Sequence, residues 1–298
     1  MSSKSNGNLE RIARYVPNKN VSSIRYVYLN SKYIYKAFYI ARNRRWKTIV
    51  LSIRGTWSAH DLLTDLCCTS EEYFAASRRH GAHNGMLAAA RGVKTMAEEI
   101  IAKELKENPD YTLVLVGHSL GGSVAAILGQ MWVTMFRGIK VYAYGPACVA
   151  PMGDMNKNCI VSVILEGDPF SSLSLGHVAD TTCAVAHLCE TDDLRTTVLT
   201  ITDGPIKDMD MEDLRWCHER MKEIRKQMTG EKLYPPGRLL FLSDPVDRKG
   251  SPEIWEVPAT VFEELKIRPL MFDLSRHVPR VYQRRLRSVQ CEPTHDVA

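Results

Sequence analysis

Residues 117 to 121 are Gly-His-Ser-Leu-Gly and stand between two apolar segments. This G-x-S-x-G pattern is typical of a tight strand-to-helix turn that exposes the serine hydroxyl, because close backbone approach leaves no room for side chains at the flanking glycines. Apolar residues before it predict a buried strand and alanine-rich residues after it predict a helix. We therefore predict that Ser119 is a nucleophile; the alternative is a glycine-rich turn on which the serine only caps the helix.

A serine hydroxyl is a weak nucleophile until a histidine accepts its proton, and a carboxylate must orient that histidine. Asp168 follows an apolar segment in VILEGDPF and precedes a proline that would end a strand, so its carboxylate is expected at the carboxyl end of a strand. Asp154 lies in a loop rich in Gly, Met and Asn, and Asp180 follows a more polar segment. Asp168 is the predicted acid, with a simple turn-forming role as the alternative.

Five histidines follow the serine. His277, in FDLSRHVPRVY, stands between an apolar turn and a final predicted helix, the usual setting for such a base, and His187 is the second choice. His218 lies in a highly charged helix, His295 lies near the end of the chain, and His177 follows Asp168 too closely. We predict that His277 is the base.

Ester hydrolysis also requires hydrogen-bond donors for the oxyanion that develops on the carbonyl oxygen. The backbone N–H of Leu120, the residue after the nucleophile, is the first predicted donor. The second is expected after the apolar segment TIVLSI, where Gly55 permits close backbone approach and Thr56 adds a hydroxyl. The alternative for this segment is an ordinary turn at the end of a strand.

These side chains need elements to position them, and apolar segments of strand length alternate with helical patterns along the chain. Strands are predicted at residues 24–30, 33–41, 48–53, 111–117, 139–145, 159–168, 238–244 and 253–258, and helices at 85–110, 123–136, 211–228 and 277–287. Strands separated by helices imply an α/β fold with a mostly parallel sheet, in which functional groups gather at the carboxyl ends of strands.

Composition limits the classes to consider. The 298 residues are 45% hydrophobic, which favours one large domain, expected at residues 21–290 between flexible segments 1–20 and 291–298. A net charge of +5 is too mild to indicate nucleic acid as a partner. The cysteines have no metal-ligand spacing, and the serine mechanism needs neither a metal nor an organic cofactor, so none is expected. No apolar segment has the length of a membrane span, and the N-terminal residues lack the continuous apolar core of a signal peptide, so a cytoplasmic protein is expected.

Several motifs in order resemble the class 3 lipases, and among them the sn-1-specific diacylglycerol lipases. The motifs are IVLSIRGTWSAHDLLTDL, HNG, LVLVGHSLGG, AYGPACVAP, VILEGDPF, LYPPGRLL and RHVPRVYQRRL, and together they span residues 50 to 286. The resemblance implies an α/β-hydrolase fold with the site residues Ser119, Asp168, His277, Thr56 and Leu120. It also implies that residues 57 to about 83 form a lid over an acyl pocket.

The chain departs from the membrane-bound diacylglycerol lipases in two respects. It contains no predicted membrane helix, so it is either a soluble relative or a catalytic piece of a longer protein. The long separation between Asp168 and His277 leaves room for an insertion around residues 182–232, which either regulates access to the site or is a helical decoration without consequence.

Two basic groups stand out. One surrounds the predicted base and consists of Arg276, Arg280, Arg284, Arg285 and Arg287; the other consists of Arg42, Arg44, Arg45 and Lys47. We hypothesise that these cations bring the site to an anionic membrane surface. The alternative is an ordinary solvated helix face.

The predicted function is that of a serine lipase, which hydrolyses an acyl ester of a glycerolipid such as diacylglycerol through an acyl-enzyme. Two alternatives remain open. One is a carboxylesterase for short soluble esters, and the other is a non-catalytic lipid-binding relative. Acyl-chain length, positional selectivity, the physiological lipid and the oligomeric state do not follow from the sequence.

Overall fold

The computed structural model describes residues 24–28, 36–55, 69–190, 211–243, 251–264 and 274–289. The strands are β1 Ile24–Tyr28, β2 Phe38–Asn43, β3 Thr48–Ile53, β4 Ser70–Ala75, β5 Arg78–His83, β6 Thr112–His118, β7 Lys140–Tyr144, β8 Ile160–Leu165, β9 Arg238–Ser243 and β10 Glu253–Val257. The α-helices are α1 Asn84–Glu107, α2 Leu120–Trp132, α3 Leu175–Glu190, α4 Met211–Arg225 and α5 Pro279–Ser288. None of these helices has both the length and the apolar composition that crossing a bilayer requires.

Eight strands form one sheet in the order β1-β2-β3-β6-β7-β8-β9-β10. The five central strands, β3, β6, β7, β8 and β9, are parallel to one another. Antiparallel pairing occurs only at the two edges of this sheet, where β1 and β2 precede β3 and where β10 follows β9. The predicted mostly parallel sheet is confirmed, and each predicted strand corresponds to an observed one within a few residues.

The main core lies between the sheet and the helices α1 and α2. Ile49, Leu51 and Leu115 on the strands are fully buried together with Ile127 and Leu128 of α2. Complete burial of such a side chain contributes about 1.5–3 kcal/mol, so this face supplies much of the stability of the central strands. The strongly apolar α2 is thereby held directly behind the serine turn.

Helix α5 packs on the other face of the sheet. Val163 and Leu165 of β8 lie in a second core cluster with Tyr282 of α5, whereas Ile160 belongs to the main core. Successive side chains of a strand point to opposite faces, so α5 covers the face that α1 and α2 leave open at β8 and β9. This position places α5 beneath the carboxyl end of β8.

A separate hairpin of β4 and β5 replaces the loose polar segment that was predicted before residue 85. Its buried His80 hydrogen-bonds through Nδ1 to Asp154 Oδ1 at 2.8 Å, and the Gly81 N–H donates to Asp154 Oδ2 at 2.6 Å. Tyr73 and Ala82 are buried in the main core. The predicted lid was therefore too long, because residues 69–83 are bonded into the body of the protein; its first part, residues 57–68, lies outside the described residues.

The segment predicted as an insertion contains part of α3 and all of α4. Its two ends meet: the Gly230 N–H donates to Asp180 Oδ1 at 2.9 Å, and a methyl group added to Gly176 would lie 2.2 Å from the Glu231 carbonyl oxygen. The excursion thus leaves the body and returns to it at one place, which we call the neck. Its regulatory role stays a prediction, and the predicted flexible ends, residues 1–20 and 291–298, lie outside the described residues.

Candidate active site

Ser119 stands on the predicted turn, directly between β6 and α2. Its backbone has φ 57° and ψ −132°, a conformation that costs energy for any residue with a side chain. A methyl group added to Gly117 would lie 2.2 Å from the Gly121 carbonyl oxygen, and one added to Gly121 would lie 2.3 Å from the Ile53 carbonyl oxygen. The two glycines are therefore required sterically, as the pattern predicts.

The Ser119 hydroxyl does not cap the helix that follows it, which removes the alternative explanation of the turn. The Ser119 N–H donates to the Tyr144 carbonyl oxygen of β7 at 2.9 Å, so the turn is fixed to the neighbouring strand. The side-chain oxygen is buried and has no hydrogen-bond partner within the described residues. A buried hydroxyl without a partner is costly for a fold, and this favours a chemical role.

Asp168 and His277 are 109 residues apart in the chain and form a hydrogen bond of 2.8 Å between Oδ2 and Nδ1. Asp168 follows β8 and caps a short 3₁₀ helix, Pro169–Ser172, by accepting from the Phe170 N–H at 3.0 Å. His277 ends another 3₁₀ helix, Leu274–His277, which packs against the first. The structure therefore brings the predicted acid and base together at the carboxyl end of β8.

Tyr282 is a site residue that the sequence reasoning missed. Its hydroxyl donates to Asp168 Oδ2 at 2.5 Å and accepts from the Leu165 N–H at 3.0 Å. The side chain is only 2% exposed, and burial followed by the charge of Asp168 raises the pKa of its phenol well above the usual value. The phenol therefore stays protonated and fixes the carboxylate oxygen that faces His277.

His118, the residue before the nucleophile, is a second residue without a predicted role. Its ring centroid lies 4.6 Å from that of His277 and 5.6 Å from that of Tyr282. Burial first, and then the neighbouring His277, lower the pKa of His118 to about 4, with Asp168 acting in the opposite direction. His118 is therefore a neutral ring packed against the base.

Ser119 and His277 meet at the same corner of the sheet, because His118 is adjacent to the first in the chain and contacts the second. No hydrogen bond joins Ser119 Oγ to His277 Nε2, and each of these buried atoms lacks a partner within the described residues. In enzymes without substrate such bonds are commonly long and tighten only on binding. We call Ser119, Asp168 and His277 the elbow cluster.

The predicted oxyanion donors are partly described. Leu120 is the first residue of α2 and is buried beside Ser119. Thr56 lies outside the described residues, but its neighbour Gly55 approaches the turn closely. A methyl group at Gly55 would lie 2.5 Å from the His118 carbonyl oxygen and 3.4 Å from Ser119 Cβ. The end of β3 thus lies next to the nucleophile, where the second donor is needed.

The rejected candidates Asp180 and His177 belong to another buried group at the neck. His177 Nδ1 accepts from the Ser174 hydroxyl at 2.7 Å and Nε2 donates to the Phe262 carbonyl oxygen at 2.7 Å. Asp180 forms an ion pair with Lys232 at 2.7 Å in addition to its bond from the Gly230 N–H. We call Ser174, His177 and Asp180 the neck cluster.

The remaining candidates are also accounted for. Asp154 is bonded to the β4–β5 hairpin through His80. His187 lies on α3 and His218 lies exposed on α4. His295 lies outside the described residues. Asp168 and His277 are therefore the candidates that the structure brings together beside Ser119.

Parts of this chain are similar in sequence to known proteins. The sequence model of the family described as Lipase (class 3) matches residues 50–174. Diacylglycerol lipase-beta of Mus musculus is 33% identical over 154 residues, which are 48% of this chain and 22% of that protein. Diacylglycerol lipase-alpha of Homo sapiens is 33% identical over 147 residues, 45% of this chain and 14% of that protein. The chain thus spans less than a quarter of these two relatives.

Among solved structures, a lipase from Rhizopus microsporus var. chinensis aligns with a TM-score of 0.45 at 22% identity, covering 56% of this chain and 61% of that one. The family match and the two relatives confirm the resemblance to class 3 lipases, and among them to diacylglycerol lipases. The parallel sheet and the strained serine after β6 are the features that define the predicted α/β-hydrolase fold, which is also confirmed.

Proposed function

We propose that this chain, whose residues 50–174 match the class 3 lipases, is a serine hydrolase that cleaves an acyl ester of a glycerolipid. The observation that carries the proposal is the hydrogen bond between Asp168 and His277 beside a strained, buried and unpartnered Ser119 hydroxyl. Diacylglycerol is the proposed substrate class, because the relatives named above are diacylglycerol lipases.

In the proposed mechanism, His277 Nε2 removes the proton of Ser119 as Oγ attacks the ester carbonyl. Asp168 holds the Nδ1 proton of His277, so that Nε2 is free to accept, and stabilises the imidazolium that forms. The tetrahedral intermediate collapses when His277 returns the proton to the departing alcohol oxygen. Water then attacks the acyl-enzyme by the same sequence and releases the fatty acid.

The negative oxygen of each intermediate needs two donors. The Leu120 N–H at the first turn of α2 is the proposed first donor, and the partial positive charge of a helix N-terminus supports it. Thr56 remains the proposed second donor, since Gly55 directly before it lies against the serine turn.

The nucleophile is closed off from solvent in this conformation. Ser119 is 2% exposed and His277 is 9% exposed. A lipid ester therefore reaches Ser119 only after part of the cover moves; the lid predicted at residues 57 to about 83 stays a prediction for its first part, which lies outside the described residues. The predicted cytoplasmic location stays a prediction.

A fluorophosphonate probe tests the nucleophile, because it reacts with activated serines. The wild-type chain should be labelled and should release fatty acid from diacylglycerol, and Ser119→Ala should abolish both. Ser123→Ala is the matched control. Ser123 lies one turn further into α2, and its hydroxyl already donates a hydrogen bond to the Ala147 carbonyl oxygen at 3.1 Å. This variant should be labelled like the wild type.

The same assay separates the alternatives. A carboxylesterase would hydrolyse short soluble esters and leave diacylglycerol intact, and a non-catalytic relative would not be labelled at all. Hydrolysis of diacylglycerol that persists in Ser119→Ala would reject the assignment of the nucleophile.

A further inference from the structure

Three arginines, Arg280, Arg284 and Arg287, form one exposed face of α5. Residues at these spacings lie on the same side of a helix, and the row extends over about 10 Å. The opposite face of α5 packs on the sheet through Tyr282 and Leu286. The row is therefore held in a fixed orientation by a buried face and is not part of a loose surface segment.

This face begins next to the elbow cluster. Helix α5 starts two residues after His277, and the 3₁₀ helix that ends at His277 packs against the one that Asp168 caps. Helix α3 starts shortly after the 3₁₀ helix that Asp168 caps. Leu175 and Val178 at the start of α3 and Val278 before α5 are 43%, 44% and 42% exposed, so exposed apolar side chains follow both of these 3₁₀ helices in the chain.

The second basic group of the sequence lies at the other end of the sheet. It occupies the turn before β3, whereas Ser119 follows the carboxyl end of the parallel strand β6. Lys47 forms an ion pair with Asp110 at 2.8 Å, and Arg42 donates to Asn108 Oδ1 at 3.0 Å. The two basic groups therefore lie at opposite ends of the parallel strands, and the hypothesis that both approach the same membrane stays a prediction.

We propose that the outer face of α5 docks the end of the sheet that carries the elbow cluster onto an anionic lipid bilayer. The inference rests on the proposed function, because a lipid ester must pass from the bilayer to Ser119, which lies at this end of the sheet. Three exposed guanidinium groups in a row complement a surface that carries many negative headgroups. The apolar Leu175, Val178 and Val278 fit the boundary between headgroups and acyl chains.

Vesicle sedimentation of the full chain tests the docking face. The chain carries Ser119→Ala throughout, so that no lipid is consumed and binding is measured apart from catalysis. Phosphatidylcholine vesicles are compared with the same vesicles containing phosphatidylserine. Replacement of Arg280, Arg284 and Arg287 by glutamine should weaken partitioning onto the anionic vesicles about 100-fold, and Arg284→Gln alone about fivefold. Added salt should weaken the binding of the chain that retains the three arginines to the anionic vesicles.

The matched control removes the same charge at the far end of the sheet. Arg44 and Arg45, in the same turn as the exposed Trp46, and Arg137, shortly before β7, are exposed there, and their replacement by glutamine should leave partitioning unchanged. Equal loss in this control would show that the other end of the molecule docks and would overturn the proposal. Equal binding of the parent chain to neutral and anionic vesicles would also overturn it.

The outcome is independent of the proposed catalysis. With Ser119 restored, the α5 variant should hydrolyse a short soluble ester at the parent rate, since the three arginines contact no residue of the elbow cluster in the described structure. Absence of hydrolysis by the chain with Ser119 restored and the three arginines unchanged would reject the proposed function while leaving the sedimentation result intact.

Discussion

Two buried groups in this molecule combine a serine, a histidine and an aspartate, and they differ in how fully they are hydrogen-bonded. In the neck cluster both ring nitrogens of His177 are bonded, and the Ser174 oxygen also accepts from the Leu233 N–H at 3.3 Å. In the elbow cluster only the Asp168–His277 side is bonded, while the outer atoms of Ser119 and His277 have no partner within the described residues.

The difference separates a structural role from a chemical one. The neck cluster joins the start of α3, the return of the excursion at residues 230–233 and the 3₁₀ helix that ends at Phe262. Polar groups bonded in this way stabilise a fold, and Asp180 Oδ2, which accepts no hydrogen bond within the described residues, faces the Lys232 ammonium at 2.7 Å. In the elbow cluster, the acceptor Nε2 of His277 and the hydroxyl of Ser119 are instead buried without a partner within the described residues. This arrangement costs stability but leaves both atoms available to react with a substrate. The same three residue types therefore do not define a triad by themselves.

Matched substitutions of the two aspartates should give the largest contrast. In Asp168→Asn the amide nitrogen takes the place of the oxygen that faces His277, because the other oxygen accepts from the Phe170 N–H. His277 is then held in the wrong tautomer, and kcat should fall about 10⁴-fold. Asp180→Asn should leave kcat unchanged and lower the free energy of unfolding by about 1–3 kcal/mol, because the partly buried Lys232 loses its nearer partner.

Both variants are checked by ester hydrolysis in the absence of denaturant, where they should be folded, and by urea unfolding. Lys232 keeps Glu263 at 3.3 Å, so Asp180→Asn should remain folded enough to assay. A large loss of kcat in folded Asp180→Asn would show that the neck cluster takes part in the chemistry, and the division between the clusters would fail.

Acid should lower the unfolding free energy through buried histidines of both regions, because their protonation is unfavourable in the folded chain. The contribution of His118 can be measured separately. Its pKa is about 4 in the folded chain, below the ordinary value of 6.5, because of burial. A lowered pKa gives stability that is complete above about pH 6.5 and is lost as the pH falls towards about 4, here about 3 kcal/mol. His118→Phe keeps a ring against His277 but cannot bind the proton. Its unfolding free energy should therefore decline less on acidification.

The measurement is the difference between the urea-unfolding free energies of wild type and His118→Phe across this pH range. Burial also lowers the pKa of His177, but this contribution is common to both proteins and cancels in the difference. Parallel pH profiles would mean that His118 is protonated equally in the folded and unfolded chains.

The residues of the elbow cluster were predictable because each has a local signal. Ser119 lies within a glycine pattern, Asp168 lies between an apolar strand and a proline, and His277 lies before the last helix. A buried parallel strand requires continuous apolar residues, and for this reason β3, β6 and β8 were also found. The order of nucleophile, acid and base along the chain then supported the choice of Asp168 and His277.

Roles that depend on distant partners had no such signal. Tyr282 contacts Asp168 across 114 residues, and His177 contacts Phe262 across 85. Helix α3 was not predicted, and one reason is that threonines disfavour helices. In the structure the hydroxyls of Thr181 and Thr182 donate to the backbone carbonyl oxygens four residues earlier. The β4–β5 hairpin was missed because the buried His80, which hydrogen-bonds to Asp154 and Gln130 far along the chain, interrupts the alternation of apolar and polar residues.

Two tyrosines extend the comparison to a smaller effect. The Tyr282 hydroxyl donates to Asp168 of the elbow cluster, and the Tyr234 hydroxyl donates to Glu263 near the neck at 2.8 Å. Tyr282→Phe removes a hydrogen bond to a charged group that positions the base, so kcat should fall about 10-fold with KM unchanged. The acidic limb of kcat/KM against pH should also move to higher pH, because Asp168 without this donor attracts the proton on His277 more strongly.

Tyr234→Phe is the matched control, since it removes the same phenol–carboxylate bond outside the elbow cluster. It should lower the unfolding free energy by about 1–2 kcal/mol and leave both kcat and the pH profile unchanged. The pH profile distinguishes the two explanations of Tyr282: a residue that only supports the fold would lower stability without moving the acidic limb. Coincident profiles for Tyr282→Phe and wild type would therefore reduce Tyr282 to a packing residue, and the acid–base pair would depend on Asp168 and His277 alone.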